Sequence, residues 1–430
     1  MPMDDFQLKN GELHCEEVRL SEIAERVGTP VYVYSTASMC RRAAEFQKAL
    51  EPLADPLIAY AVKANPNTAV IATLARAGLG ADIVSGGEYR RAVAAGVPGD
   101  KIVFSGVGKT EEEMRLALAG GVYQFNVESF SEAEMLSGIA TSMGLTAPIG
   151  FRVNPDVSAG GHAKIMTGSA ENKFGIAIGE AIDAYAAAAQ LPGLKVQGVA
   201  VHIGSQLTSL DPLERGFTRV GELVGALRDA GHAIGVADLG GGLGLSYEPE
   251  VSPPPAPADY GQMVRRVTGR WKLRLVFEPG RLIVGNAGVL LSRVIRVKPG
   301  PTHPFVVLDA GMNDLIRPAL YDAWHGIEAV RPVGERWTAN VVGPLCETGD
   351  TFATAREMDR VEAGDLVLFR TAGAYGASMS NSYNSRALAA EVLVDGGRWA
   401  VIRPHIDVQP MIAAERIPDW VAGCAGPSSS

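Results

Sequence analysis

Apolar and polar positions alternate along the chain in two different rhythms. After an early apolar strand, Val31-Tyr32-Val33-Tyr34, and an amphipathic helix over 38–50, strand-like and helix-like stretches take turns. Short apolar runs at 57–64, 81–85, 102–105, 124–127, 149–154, 198–203, 236–239 and 273–277 read as strands. Stretches at 67–77, 88–95, 111–119 and 180–189 read as helices between them. This is about eight βα units in about 220 residues, the size of a (β/α)₈ TIM-type barrel. An open doubly wound sheet is the alternative, but no G-x-G-x-x-G follows the first strand.

The second rhythm begins near residue 285. Runs at 289–297, 305–309, 337–342, 365–371 and 398–404 read as strands with turns and few helices, a β-rich second domain. Residues 1–27 hold a strand-like piece and a helix over 21–27 with Ser21 as N-cap, and are expected to pair with that domain. The expected division is a barrel over 28–284, entered through the 31–34 strand, and a β-rich domain from 1–27 with 285–422. A proline-rich surface loop is expected at 251–257, and a disordered tail at 423–430.

Polar residues fall in register with the strand ends. Lys63, Asp82 with Ser85 and Glu88, Ser105, Asn126 with Glu128, Arg152 with Asn154, His202 with Ser205, the Gly240-Gly241-Gly242 run, and Glu278 with Arg281 each close one strand. A single strand-end Asp or Ser caps the next helix more often than it catalyses. Eight in register favour one shared site at the carboxyl face of the barrel.

Composition narrows the class. Hydrophobic content of 47% and charged content of 20% are globular values. The net charge of -9 is spread along the chain, which argues against a nucleic-acid partner. The acidic, polar start has no signal-peptide pattern, and no apolar run reaches membrane-spanning length. Cys15, Cys40, Cys346 and Cys424 are too scattered for a metal motif, so no metal is expected and a reducing cytoplasm is the default.

The strand-end residues carry recognisable chemistry. In 57–64, Ile58, Tyr60 and Val62 alternate with Ala59 and Ala61, so both faces are apolar, as in a barrel strand, and Asn65-Pro66-Asn67 halts it. Lys63 is then either a lysine snorkelling at the barrel rim or a Schiff-base lysine whose pKa an apolar site lowers. Gly240-Gly241-Gly242-Leu243-Gly244 is either a flexible turn or a loop that lets backbone N–H groups approach a phosphate. Glu278-Pro279-Gly280-Arg281 is either a rim ion pair or a carboxylate that keeps a pyridine nitrogen protonated, with an arginine to grip phosphate or carboxylate. His202-Ile203-Gly204-Ser205-Gln206 offers a ring to stack and a hydroxyl for phosphate, or a satisfied core histidine. Cys346-Glu347 in a polar turn suits a proton donor, because free cysteines are usually buried as small hydrophobes.

Taken together, these residues resemble the fold-type III pyridoxal-phosphate decarboxylases, the group of alanine racemase and ornithine decarboxylase, and most closely the diaminopimelate decarboxylase family. The resemblance runs nearly the whole chain. It covers 60–67, 81–88, 151–156, the loop 161–168 with Lys173-Phe174-Gly175, 202–206, 240–244, 278–281, 309–321, 346–350 and 373–386.

The resemblance implies pyridoxal 5'-phosphate held at Lys63, with Asp82 and Arg152 nearby and His202 over one ring face. Glu278 would pair with the pyridine nitrogen. Ser205, Gly242 and Gly280 would help bind the phosphate, and Gly241, Arg281 and Tyr375 would contact the cofactor. It implies substrate contacts from Arg281, Arg317, Tyr321, Glu347 and Tyr375. Arg317 would take the distal carboxylate of meso-diaminopimelate and Glu347 its distal ammonium. Cys346 would reach in from the partner of a homodimer as proton donor. The implied reaction is loss of carbon dioxide from the D-centre to give L-lysine. A decarboxylase of ornithine, arginine or lysine, or an amino acid racemase, is the alternative on the same barrel. Leu282, Trp324 and the order of 379–383 depart from the family pattern.

Overall fold

In the computed structural model, which describes residues 5–157, 173–248 and 253–422, all eight expected barrel strands are present. They are β1 (Leu57–Ala61), β2 (Gly80–Ile83), β3 (Ile102–Phe104), β4 (Gln124–Val127), β5 (Ala147–Asn154), β6 (Leu194–Ala200), β7 (Val236–Asp238) and β8 (Arg274–Phe277). Every neighbouring pair is parallel. β8 pairs with β1 and β4 with β5, so the barrel is closed. Closure leaves no edge strand, and the strands read as continuous apolar runs because both faces are covered. The helices between them are stopped and started by local chemistry. Asn67 caps Thr68–Arg76, Ser85 caps Gly86–Ala94, and Thr110 with Glu113 forms a capping box on Glu111–Ala119.

The second sheet runs Thr351–Asp359, Arg336–Val342, Phe305–Leu308, Gly288–Lys298, Val31–Ser35, Ala390–Asp395 and Arg398–Arg403, with Leu366–Phe369 and Ile327–Ala329 attached. This corrects one expectation. Val31–Ser35 does not enter the barrel. It lies between Gly288–Lys298 and Ala390–Asp395, antiparallel to the first and parallel to the second. A strand at the centre of a two-sided sheet is as apolar on both faces as a barrel strand, so hydrophobicity does not separate the two.

The N-terminal strands Phe6–Lys9, Glu12–Cys15 and Val18–Arg19 form a small sheet of their own. They share an apolar cluster with the second sheet through Phe6, Leu13, Cys15 and Val18, and Leu13 N–H donates to Val330 O at 2.8 Å. Ser21 lies one residue inside its helix, Leu20–Val27, and does not cap it. Its hydroxyl accepts from Arg331 instead. Pro257 opens the helix Pro257–Thr268 rather than ending a loop, as a proline at the first helical position does. The segment 161–168 and the tail 423–430 lie outside the described residues. Among the described residues no helix is long and apolar enough to cross a membrane.

The two sheets meet at the first barrel strand. β1 ends at Ala61, and Val62–Ala64 is a 3₁₀ turn rather than more strand. The second sheet's loop holds that turn in place. Tyr375 N–H donates to Ala64 O at 2.8 Å, and Asn65 Nδ2 donates to Gly373 O at 3.3 Å. Asn67, which caps the next helix, also donates to Glu391 Oε1 at 3.0 Å, and Glu391 accepts from Tyr34. Lys63, in the middle of that turn, is thus positioned from both sides.

Candidate active site

Lys63 sits on the 3₁₀ turn at the carboxyl face, its side chain about a third exposed (35%), and its Nζ is 2.7 Å from Asp82 Oδ2. Asp82 is completely buried at the end of β2. The expectation of a lowered lysine pKa does not hold. Burial works against the ammonium, but Asp82 and then Glu278 outweigh it and hold Lys63 above its usual range. The strand is apolar as expected, but two carboxylates from other strands face its end.

Glu278 follows β8 and is buried. Its Oε1 accepts from Ser105 Oγ at 3.1 Å and lies 3.5 Å from Asn126 Nδ2. Asn126 Nδ2 also donates to Asp238 Oδ2 at 2.7 Å, and the Asp238 and Glu278 carboxyls share a hydrogen bond. Burial first, then the neighbouring Asp238 and Asp82, push Glu278 well above the ordinary carboxylate range. At the floor of the site the Glu278 carboxyl therefore favours its protonated form.

His202, after β6, is 4.0 Å from Glu278. Its Nδ1 accepts from Gly241 N–H at 3.3 Å. Burial, with the Arg152 and Lys63 charges, drives its pKa far down, so the ring is neutral. The Gly240-Gly241-Gly242 run is not a flexible turn. Gly240 N–H donates to Asp238 Oδ1 at 2.9 Å, and Leu207 N–H donates to Gly242 O at 2.9 Å. Gly242 has φ +110, and a Cβ there would lie 2.4 Å from Gly204 O. Only glycine takes that backbone in that space. The N–H groups of Gly242 and Leu243 have no partner among the described residues.

Lys63, His202, Ser205, Gly240, Gly241, Gly242, Glu278, Gly280, Arg281 and Tyr375 line one cavity. An adjoining one is lined by Lys63, Ser105, Asn126, Arg152, His202 and Glu278. Arg152 reaches it while paired with Glu128 at 3.0 Å and stacked on Phe174 at 4.6 Å. A third, larger cavity of about 550 Å³ opens outward from Lys63, and Arg281, Arg317, Tyr321 and Tyr375 line it with Tyr247. Arg281 donates to Tyr247 Oη at 2.6 Å and to Ser205 Oγ at 3.2 Å. Arg317 stacks on Tyr247 at 4.5 Å. Both guanidiniums are buried, and among the described residues neither has a carboxylate partner. Burial, with the Arg281 charge, pushes Arg317 below its usual range.

The structure thus brings together all but two of the expected site residues. Cys346 and Glu347 stand apart. Both are exposed on a turn that Asp350 ties down by accepting from Met312 N–H at 2.6 Å and Leu345 N–H at 2.7 Å. Neither borders a cavity that contains Lys63. Glu347 instead shares a hydrogen bond with Tyr383.

A family profile described as the pyridoxal-dependent decarboxylase pyridoxal binding domain matches residues 36–285. A diaminopimelate decarboxylase of Zymomonas mobilis subsp. mobilis is 53% identical over 421 residues, which is 97% of this chain and 100% of that one. The chain belongs to the diaminopimelate decarboxylase family. Two solved diaminopimelate decarboxylases described as complexes with L-lysine share its fold. The one from M. jannaschii is 36% identical, with a TM-score of 0.93 over 97% of this chain and 99% of that one. The one from Helicobacter pylori is 37% identical, with a TM-score of 0.88 over 91% and 98%.

Three residues of this diaminopimelate decarboxylase site escape sequence reasoning. Asp238 was hidden inside an apolar strand, though the strand-end rule that finds Glu278 also covers it. Tyr247 and His325, which touch Arg317, lie in irregular stretches with no period to mark them.

Proposed function

We propose that this chain removes carbon dioxide from the D-centre of meso-2,6-diaminopimelate to give L-lysine, using pyridoxal 5'-phosphate held at Lys63. The observation that carries the reading is the pair of buried guanidiniums, Arg281 and Arg317, in the cavity that opens from Lys63 without an acidic partner among the described residues. Two uncompensated buried cations favour an anionic ligand strongly. Ornithine and lysine, attached through the reacting amine, present no distal carboxylate to them.

The residues present fit the cofactor. The tight glycine loop, with the free N–H groups of Gly242 and Leu243, the Ser205 hydroxyl and Gly280 would take its phosphate. Lys63 supplies the amine that carries it, with Asp82 as counter-charge. His202, neutral, would cover one face, and Tyr375 and Arg152 border the same space. When bound, pyridoxal phosphate supplies the electron sink for the breaking carbon–carboxylate bond. Glu278 would pass its proton to the pyridine nitrogen and pair with it as the carboxylate, which keeps that sink charged. Arg317 grips the distal carboxylate, which leaves the reacting carboxylate free to depart, and Tyr321 lines the same wall.

The exposed Cys346–Glu347 turn supports a shared site in a homodimer. It supplies the thiol proton and an acid for the distal ammonium to the partner's cavity rather than to its own. The deciding experiment is carbon dioxide release from meso-diaminopimelate beside L-ornithine, L-arginine and L-lysine. Release from meso-diaminopimelate alone is the expected result, and release from ornithine at a comparable rate overturns the substrate assignment.

A further inference from the structure

His325 lies in the irregular stretch after the helix Arg317–Tyr321, and its ring is buried. Its Nδ1 is 2.8 Å from Arg370 O, and its Nε2 is 2.8 Å from Arg317 Nη1. A carbonyl can only accept, so Nδ1 carries the proton. A guanidinium can only donate, so Nε2 presents its lone pair. Both contacts demand the same neutral tautomer. Burial and the nearby charges of Arg317, Arg281 and Arg356 agree, pushing the imidazolium down to about 3. The ring, its backbone and its acceptor residue are each held. Tyr247 meets it edge-on at 5.5 Å, Arg356 donates to His325 O at 2.8 Å, and Arg370 is itself clamped by Glu328 at 2.6 and 2.8 Å.

The choice of a neutral acceptor matters. A carboxylate in this place would also hold Arg317, but it would neutralise it. An imidazole lone pair orients the guanidinium and leaves its whole charge for an incoming anion. We propose that His325 is a positioning residue that aims Arg317 into the cavity and keeps it cationic for the distal carboxylate of the substrate. This rests on the reading of Arg317 given above.

The test compares His325→Asn, His325→Gln and Arg317→Ala as holoenzymes. Asparagine places its amide near Nδ1, so it still donates to Arg370 O but does not reach Arg317. Glutamine reaches the Nε2 position. For His325→Asn, the KM for meso-diaminopimelate should rise about 10–100-fold while kcat stays within about threefold, the loss of one charge-assisted contact. His325→Gln should recover most of that loss. A second readout is equilibrium binding by calorimetry. L-Lysine bound as the product, with its ε-amine at the reacting end, keeps the distal carboxylate, and 1,5-diaminopentane lacks it. His325→Asn should weaken L-lysine by about the same 10–100-fold and 1,5-diaminopentane by less than about twofold.

Equal losses for both ligands, or a fall in kcat with unchanged KM, overturn positioning and leave a merely structural histidine. If Arg317→Ala loses L-lysine while His325→Asn does not, positioning fails and the carboxylate reading stands. If Arg317→Ala binds L-lysine normally, the carboxylate reading itself fails.

Discussion

Lys63 Nζ lies 2.7 Å from Asp82 Oδ2, while Asp82 Oδ1 is buried without a hydrogen-bond partner among the described residues. Half of that carboxylate is committed to the lysine, and its whole charge stays beside the amine. The pair favours the ammonium form of Lys63.

The first prediction concerns this pair. Borohydride reduction of the holoenzyme followed by peptide mapping should label Lys63, and label on any other lysine would end the cofactor assignment. In the apoenzyme, Asp82→Asn removes a negative charge that favours the ammonium. The lysine pKa then falls, and more neutral amine is present at a given pH. The pH profile of cofactor capture, followed by near-visible absorbance, should shift to lower pH by about one unit or more, on the order of tenfold faster capture at pH 8. An unchanged or alkaline-shifted profile contradicts the role of Asp82.

Glu278 is the second target. Glu278→Gln keeps the shape and the contact with Ser105 but cannot hold a ring nitrogen protonated. Cofactor content, measured by absorbance, should remain near normal. Turnover should fall by about 10²–10⁴-fold. Near-normal turnover refutes the electron-sink role.

The shared site gives a third prediction. Lys63→Ala and Cys346→Ala chains should each be inactive alone. Mixed and allowed to exchange subunits, they should form heterodimers with one site intact in both residues and one lacking both. Activity should return to about half per mixed dimer. No recovery, with heterodimers confirmed by mass spectrometry, would mean that both residues act from one chain.

Stability should also respond to pH through Glu88, half-buried close to Asp82. Burial raises its carboxyl from 4.5 to about 7. The folded state then holds a proton that the unfolded chain has released. Its contribution is fully present below pH 4.5, is lost as pH rises through 7, and is level above. Glu88→Gln should therefore be more stable relative to the native chain at pH 8 than at pH 4, by urea denaturation. The opposite order counts against the raised carboxyl.

Much of this molecule is legible in the sequence because barrels obey one rule. Each strand is apolar on both faces and each carries its polar residue at the carboxyl end, so the chain alone places Lys63, Asp82, His202 and Glu278 on one face. What escapes has physical causes. The hydrophobic pattern of Val31–Ser35 is the same in either sheet, and only pairing decides. The ionisation of Lys63 depends on carboxylates that lie 19 and 215 positions away in the chain, which no local pattern reports. His325 and Tyr247 contact the Arg317 guanidinium, and their residue types carry no signature of the chemistry.

The strand Val31–Ser35 also sets a timetable for synthesis. It emerges from the ribosome before either of its partners, with Val31, Tyr32, Val33 and Tyr34 all destined for burial. Its antiparallel neighbour is made about 250 residues later, and its parallel neighbour later still. The barrel strands can close on one another meanwhile, since all of them lie between these partners in the chain. Throughout that interval the nascent protein carries a sticky, unpaired ribbon. A nascent chain stalled just after the barrel is complete should therefore be a better client for chaperones than the finished protein.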